Sequence, residues 1–173
     1  MKRLLVILIL LSTFLPCSIL CKKDNINMET VKGVKIEKYL GKWYEIARFP
    51  HSFEKDLEGV TANYSIRDDG KIKVVNTGWK KKVKKTAIGK AYIPNPNDAA
   101  KLKVSFFWIF YADYYILELD TVDYQWALVG SSSDKYLWIL SRTPKMDENL
   151  YRSILEKAKK RNYDISKLIK VQH

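Results

Sequence analysis

Cysteine is nearly absent from this chain: Cys17 and Cys21 are its only two, both at the end of the opening apolar segment. The remaining sequence therefore has no internal disulfide, no cysteine metal site and no thiol nucleophile. Histidine is equally scarce, with only His51 and His173. No two-histidine metal motif occurs. A Ser-His-Asp arrangement would have to recruit His51, for which Ser52 is too local a partner, and no Gly-x-Ser-x-Gly elbow accompanies it. No catalytic residue, metal ligand or cofactor is assigned, and a non-enzyme is expected. Acidic residues are few, 19 against 31 lysines and arginines, for a net charge of +12. Setting aside Lys2 and Arg3 with the leader leaves an excess that favours anionic surfaces. The leader speaks for export, which excludes nucleic acid as the expected partner and points to phospholipid headgroups or the envelope.

The leader is MKRLLVILILLSTFLPCSIL, residues 1–20, in which two cations precede an apolar run broken by Pro16. This is the pattern of an export signal. Cys21, followed by Lys22-Lys23-Asp24-Asn25, resembles the first residue of a bacterial lipoprotein, whose thiol is lipidated, although Ile19 and Leu20 stand where small residues normally precede the cut. The expected location is the outer membrane facing the periplasm, with a periplasmic or secreted protein as the alternative. Residues 21–36 carry little periodicity and read as a spacer.

The other 137 positions have the bulk for one core. From Tyr39 onward, runs rich in Val, Ile, Tyr, Trp and Phe recur about every ten residues, the spacing of an antiparallel meander. Eight strands are predicted, near 43–49, 60–67, 71–79, 86–93, 102–107, 114–120, 124–131 and 136–142. Asp68-Asp69-Gly70 is a strong hairpin signal. After Pro144 the period changes: Leu150, Ile154 and Ala158 fall at helical steps behind Asp147, predicting a helix from Asp147 to Arg161 with Arg152, Lys159 and Lys160 in solvent. A short apolar piece, Leu168 to Val171, would add a last strand. The fold class is thus all-β, an eight-stranded antiparallel up-and-down barrel with one C-terminal helix packed outside. At that strand number the interior can hold one small ligand.

Gly41-Lys42-Trp43-Tyr44 at the first strand, Asp123-Tyr124 before the seventh and Arg142 after the eighth resemble the three signature regions of the lipocalins. WYEIARFPHSFEK, SIRDDGKIKV, GKAY, LKVSFF and YLWILSRTP are similar to the bacterial lipocalin and apolipoprotein D-like branch, so the resemblance covers residues 37–173. It implies that Trp43 plugs the closed end of the barrel under Arg142, and that these signature residues hold the fold without touching ligand.

Strand alternation, anchored by that resemblance, assigns side chains to the interior. It places Phe49, Ala62, Tyr64, Ile66, Val74, Asn76, Ala91, Phe106, Tyr115, Leu117, Tyr136 and Trp138 against a ligand, and Glu45, Ala47, Ile72, Gly89, Val104, Leu119, Trp126, Leu128 and Leu140 also inside. An inward Glu45 needs a partner, and Arg142 is the one cation this count puts near it. The apolar lining suits an acyl chain. At ~0.8 kcal/mol per methylene, a roughly ten-carbon tail offers ~8 kcal/mol gross, enough for a carrier of a fatty acid, lysophospholipid or similar amphiphile. The alternatives are a lipid-modifying enzyme in the same barrel, or a structural envelope protein with a sealed one. Monomer and homodimer are both compatible.

Two loops at the barrel mouth depart from expectation. KKKVKK supplies Lys80, Lys81, Lys82, Lys84 and Lys85, while WIFYADYY places Trp108, Phe110 and Tyr111 at or near a turn; the resemblance implies glycine and proline there instead. Lysines beside interfacial aromatics suit docking on an anionic bilayer; otherwise the aromatics would fold over the mouth as a lid.

Overall fold

The computed structural model describes residues 25–173. The leader, Cys17 and Cys21 lie outside the described residues. A short helix, α1 (Ile36–Tyr39), precedes eight strands: β1 (Gly41–Arg48), β2 (Glu58–Ile66), β3 (Ile72–Lys80), β4 (Val83–Tyr92), β5 (Lys101–Phe107), β6 (Phe110–Leu119), β7 (Trp126–Gly130) and β8 (Leu137–Ser141). A helix, α2 (Glu148–Lys160), and a two-residue strand, β9 (Ile169–Lys170), follow. From β1 to β8 each strand pairs antiparallel with the next, β1 also pairs with β8, closing the barrel, and β9 adds to β1. Closure hides the backbone edges an open sheet would present.

All eight strands, the helix and the last strand were legible in the sequence. β4 begins at Val83 because Lys81 and Lys82 take φ values of 50° and 65°, making a two-residue turn. β6 begins at Phe110 because Trp108 does the same at φ 45°. The Asp147 carboxylate accepts from the Asn149 and Leu150 N–H groups, capping α2. Tyr151, Ile154 and Ala158 of α2 are buried against the barrel wall. Residues 25–34 run along the barrel: Val31 N–H donates to Ile116 O at 3.1 Å, Asn27 N–H to Arg161 O at 3.0 Å, and the Arg161 guanidinium to Glu29 O at 2.7 Å. The described part of the segment read as a spacer is therefore bonded to the domain.

The apolar side chains form two bodies. One fills the barrel, with Trp43, Tyr64, Val74, Leu102, Ile116 and Leu140 among its buried members. The other lies between barrel wall and α2, and includes Ile46, Phe49, Leu117, Leu128, Ile139 and Ile154.

This division corrects the count of interior residues. On β1 the register with β8 slips between Glu45 and Ala47, a bulge that absorbs one residue and reverses the alternation. Ala47 and Phe49 consequently face α2, and Arg48, opposite Trp138, faces inward. A second slip between Ile116 and Glu118 turns Tyr115 and Leu117 outward and leaves Tyr114, Ile116 and Leu119 inside. Before β7, Tyr124 at φ 57° interrupts the extended run, so Ala127 and Val129 point inward while Trp126 and Leu128 pack toward the helix.

Candidate functional site

The closed end is built on Trp43. Its indole N–H donates to Tyr39 O at 2.8 Å, and the Arg142 guanidinium carbon lies 3.8 Å from its ring centre. Arg142 also donates to four carbonyl oxygens, those of Lys38, Tyr39, Lys42 and Tyr124, at 2.8–3.3 Å. The cation–π contact, worth ~1–2 kcal/mol when shielded, joins the lead-in helix, β1 and the turn before β7. Gly41, at φ 91°, leaves room beside Arg142. Tyr124 is buried and its hydroxyl accepts from Lys35 N–H at 2.9 Å, whereas Asp123 is exposed.

Packed against this plug is a floor of tyrosines, the Tyr39 ring 4.8 Å from that of Trp43. The Tyr64 hydroxyl donates to that of Tyr114 at 3.0 Å, and the Tyr114 and Tyr39 hydroxyls share a 2.7 Å hydrogen bond. Burial raises the pKa of all three, that of Tyr64 to about 12. Val74 and Ala91 are sealed in the same layer. Ile66, expected inside, is 54% exposed because β2 runs past the plug there.

Nearer the mouth the interior side chains Ala62, Asn76, Val104, Phe106 and Trp138 keep part of their surface accessible. Asn76 Oδ1 is buried with no hydrogen-bond partner among the described residues. The expected set therefore divides. Ala62, Tyr64, Val74, Asn76, Ala91, Phe106 and Trp138 come together in the barrel, while Phe49, Tyr115 and Leu117 lie on its outer wall. Tyr136 stands at the rim with its ring stacked on Trp138 at 5.7 Å. An open cleft of about 460 Å³ runs beside it, between Phe49, Pro50 and His51 on one side and Lys167 on the other.

A charged group crosses the mouth half of the barrel. Arg48 donates to Glu45 Oε1 at 2.8 Å and to Glu54 O at 2.7 Å, and all three side chains are buried. Glu54 Oε2 lies 3.4 Å from the Trp138 indole nitrogen and 2.9 Å from His51 Nε2, the latter off the hydrogen-bonding angle. Burial, and after it the charge of Glu54, push Glu45 up to about 8 against the pull of Arg48. Glu45 thus pairs with Arg48, not with the expected Arg142. Two adjacent apolar residues, Ile46-Ala47, are the only trace of the bulge in the sequence.

The mouth loops carry both unusual motifs. Lys81, Lys82, Lys84 and Lys85 are exposed, while Lys80 is held by Asp56 at 3.3 Å. Phe107, Trp108, Ile109 and Phe110 are 78, 82, 62 and 75% exposed, so the tip does not fold down as a lid. Tyr111 lies back on the wall, edge-on to Tyr92 at 5.2 Å.

A closed eight-stranded barrel with a tryptophan plug, an arginine cover and one flanking helix is the lipocalin architecture. The lipocalin-like domain family model matches residues 34–173, and the chain belongs to that family, whose members bind small hydrophobic ligands. Among its relatives, the outer membrane lipoprotein Blc of Vibrio cholerae is 43% identical over 161 residues, covering 90% of this chain and 94% of that one. The protein of the same name from Escherichia coli strain K12 is 45% identical, covering 82% and 81%. The solved structure of insecticyanin from the tobacco hornworm Manduca sexta superposes with a TM-score of 0.69 at 21% identity, over 86% of each chain, and speaks for the fold alone.

Proposed function

We infer that this protein binds an amphiphile with one long acyl chain, a fatty acid or a lysophospholipid, and carries or stores it in the bacterial envelope. The observation that carries the reading is the division of the interior. Its lower half is sealed by Trp43 and the tyrosine floor, whereas Ala62, Val104, Phe106 and Trp138 above keep accessible apolar surface. A tail over that floor would bury its methylenes at ~0.8 kcal/mol each. Asn76 Oδ1 gives a ligand hydroxyl an acceptor, which matters because a buried unpaired polar group costs ~1–3 kcal/mol. The leader and the names of the relatives support export, lipidation of Cys21 and residence in the outer membrane as part of this reading. Among the described residues no helix is long and apolar enough to cross a membrane. The exposed lysines and aromatics at the mouth would then meet an anionic bilayer.

Native mass spectrometry of protein purified from cells, followed by identification of the extracted lipid, tests the reading. A copurified single-chain amphiphile is the expected result. Protein that emerges empty and takes up no labelled fatty acid or lysophospholipid would refute it, and turnover of a lipid panel would replace it with an enzyme.

A further inference from the structure

The barrel wall is not equally joined all round. β4 pairs with β3 along its length, from Val83 to Ala91, but with β5 only at Lys90, Ala91 and Tyr92. Val83 to Gly89 therefore have a ladder partner on one side alone, and every residue from Val83 to Ile88 is exposed. On the other side of this split, β5 slips in register against β6 between Val104 and Phe107, and its end rises into the exposed Phe107–Phe110 hairpin.

The split ends at Gly89. A β-carbon there would lie 2.6 Å from Ser105 O and 2.8 Å from Cδ1 of Phe106, so the Phe106 ring rests directly against the Gly89 backbone. Phe106 also packs against the interior cluster. The split thus leads from the outer surface to a side chain that lines the cup.

Its two lips differ in character. One is the β3–β4 hairpin with Lys81, Lys82, Lys84 and Lys85 in solvent, and the other is the aromatic hairpin. Both tips hold non-glycine residues at positive φ, Lys81, Lys82 and Trp108, where a turn of this kind favours Asn or Gly. Such backbone is strained for a residue with a side chain and concentrates at functional positions. An unpaired strand edge also invites a further strand, but lysines at 84 and 85 would meet their own copies across such a pairing, and like charges opposed there repel.

We propose that the gap between β4 and β5 is a lateral portal, through which an acyl chain slides from an anionic bilayer into the cup. The 107–110 hairpin sits among the acyl chains, the lysines hold phosphates of the surface, and Phe106 is the gate. This rests on the amphiphile-binding reading and adds the route and the membrane charge it requires.

Continuing the Lys90–Ser105 register sets Ile88 opposite Phe107. In the full chain with Cys17 and Cys21 replaced by serine, an Ile88→Cys/Phe107→Cys disulfide would tie the lips together. The readout is the rate at which a fluorescent fatty acid passes from phosphatidylglycerol vesicles to the protein, with equilibrium affinity measured separately. Cross-linking is expected to slow uptake at least about tenfold and reduction to restore it, while the affinity of the reduced protein stays within about twofold of the parent. Phe106→Ala, which needs no cross-link, is expected to speed uptake. Unchanged rates in the locked protein overturn the portal. If the pair does not cross-link, an unchanged rate in Phe106→Ala does the same. A homodimer joined through the β4 edge also overturns it. Loss of all fatty-acid binding by the parent protein would instead remove the amphiphile reading on which the portal depends.

Discussion

Arg48 Nη1 donates to Glu45 Oε1 at 2.8 Å inside the barrel, three positions along one strand whose alternation should have put them on opposite faces. The bulge before Ala47 brings them to the same side. Glu54 reaches the same group from the loop after β1, so one guanidinium serves two carboxyl groups in a largely apolar hollow. The arrangement ties the mouth loop to the barrel and sets the charge above the ligand space.

Removing the cation should therefore be severe. Above about pH 8, where Glu45 is ionised, Arg48→Met leaves Glu45 and Glu54 facing each other without compensation, and breaking a buried pair this way costs about 3–5 kcal/mol. The urea midpoint is expected to fall accordingly, and Glu45→Gln added to Arg48→Met should recover part of the loss. A midpoint for Arg48→Met equal to the parent's would show that the group contributes nothing.

Glu45 gives a pH dependence of defined sign. Its pKa in the folded protein is raised to about 8 by burial and by Glu54, above the ordinary carboxyl value of 4.5. The stabilising contribution of its proton is complete below the unfolded value and is lost as pH rises through the folded one. Stability should decline between roughly pH 4.5 and 8 by up to ~1.4 kcal/mol per unit for this one proton. Glu45→Gln should flatten that decline, measured by denaturation at fixed urea across the range; an unaltered slope would assign the proton elsewhere.

The barrel and the plug were legible in the sequence because both depend on local pattern: apolar runs of strand length, turn residues between them, and Trp43 and Arg142 at the ends. What each strand puts inside was legible only up to its first irregularity. Ala62, Tyr64, Val74, Ala91 and Phe106 lie where alternation places them. Phe49, Tyr115, Leu117, Trp126 and Leu128 do not, because a bulge or a positive-φ turn inverts everything beyond it while leaving composition unchanged. Ile46-Ala47 and Ile116-Leu117 are adjacent apolar pairs at two such places, one side chain serving the barrel and the other the helix at the second of them. Arg48 was missed for the same reason, since only the bulge turns it inward.

At the closed end, Arg142→Ala removes the contact over Trp43 and donors to four carbonyl groups. Loss of the cation–π contact alone costs ~1–2 kcal/mol, and the abandoned carbonyls add to it. Arg142→Lys should recover little, because an ammonium cannot span the same acceptors in the plane of the indole. Thermal unfolding should move down by several degrees in both variants, while affinity for a fluorescent fatty acid in the folded protein is expected to be unchanged, since Arg142 covers Trp43 at the closed end, away from the mouth half of the barrel.

Ala62 offers the sharpest division between lining and wall. It pairs with Trp43 on one side and Asn76 on the other, faces the interior, and keeps part of its surface accessible. Ala62→Trp would fill the space above the tyrosine floor and is expected to weaken fatty-acid binding by at least about tenfold, some two methylenes of lost burial at ~0.8 kcal/mol each. Phe49→Leu changes a ring that meets Tyr163 on the helix side at 6.1 Å, so it should reduce stability and leave affinity alone. Titration of both variants with the same fluorescent ligand separates the two faces. An affinity that falls for Phe49→Leu and holds for Ala62→Trp would mean that the ligand lies outside the barrel, in the cleft beside Tyr136.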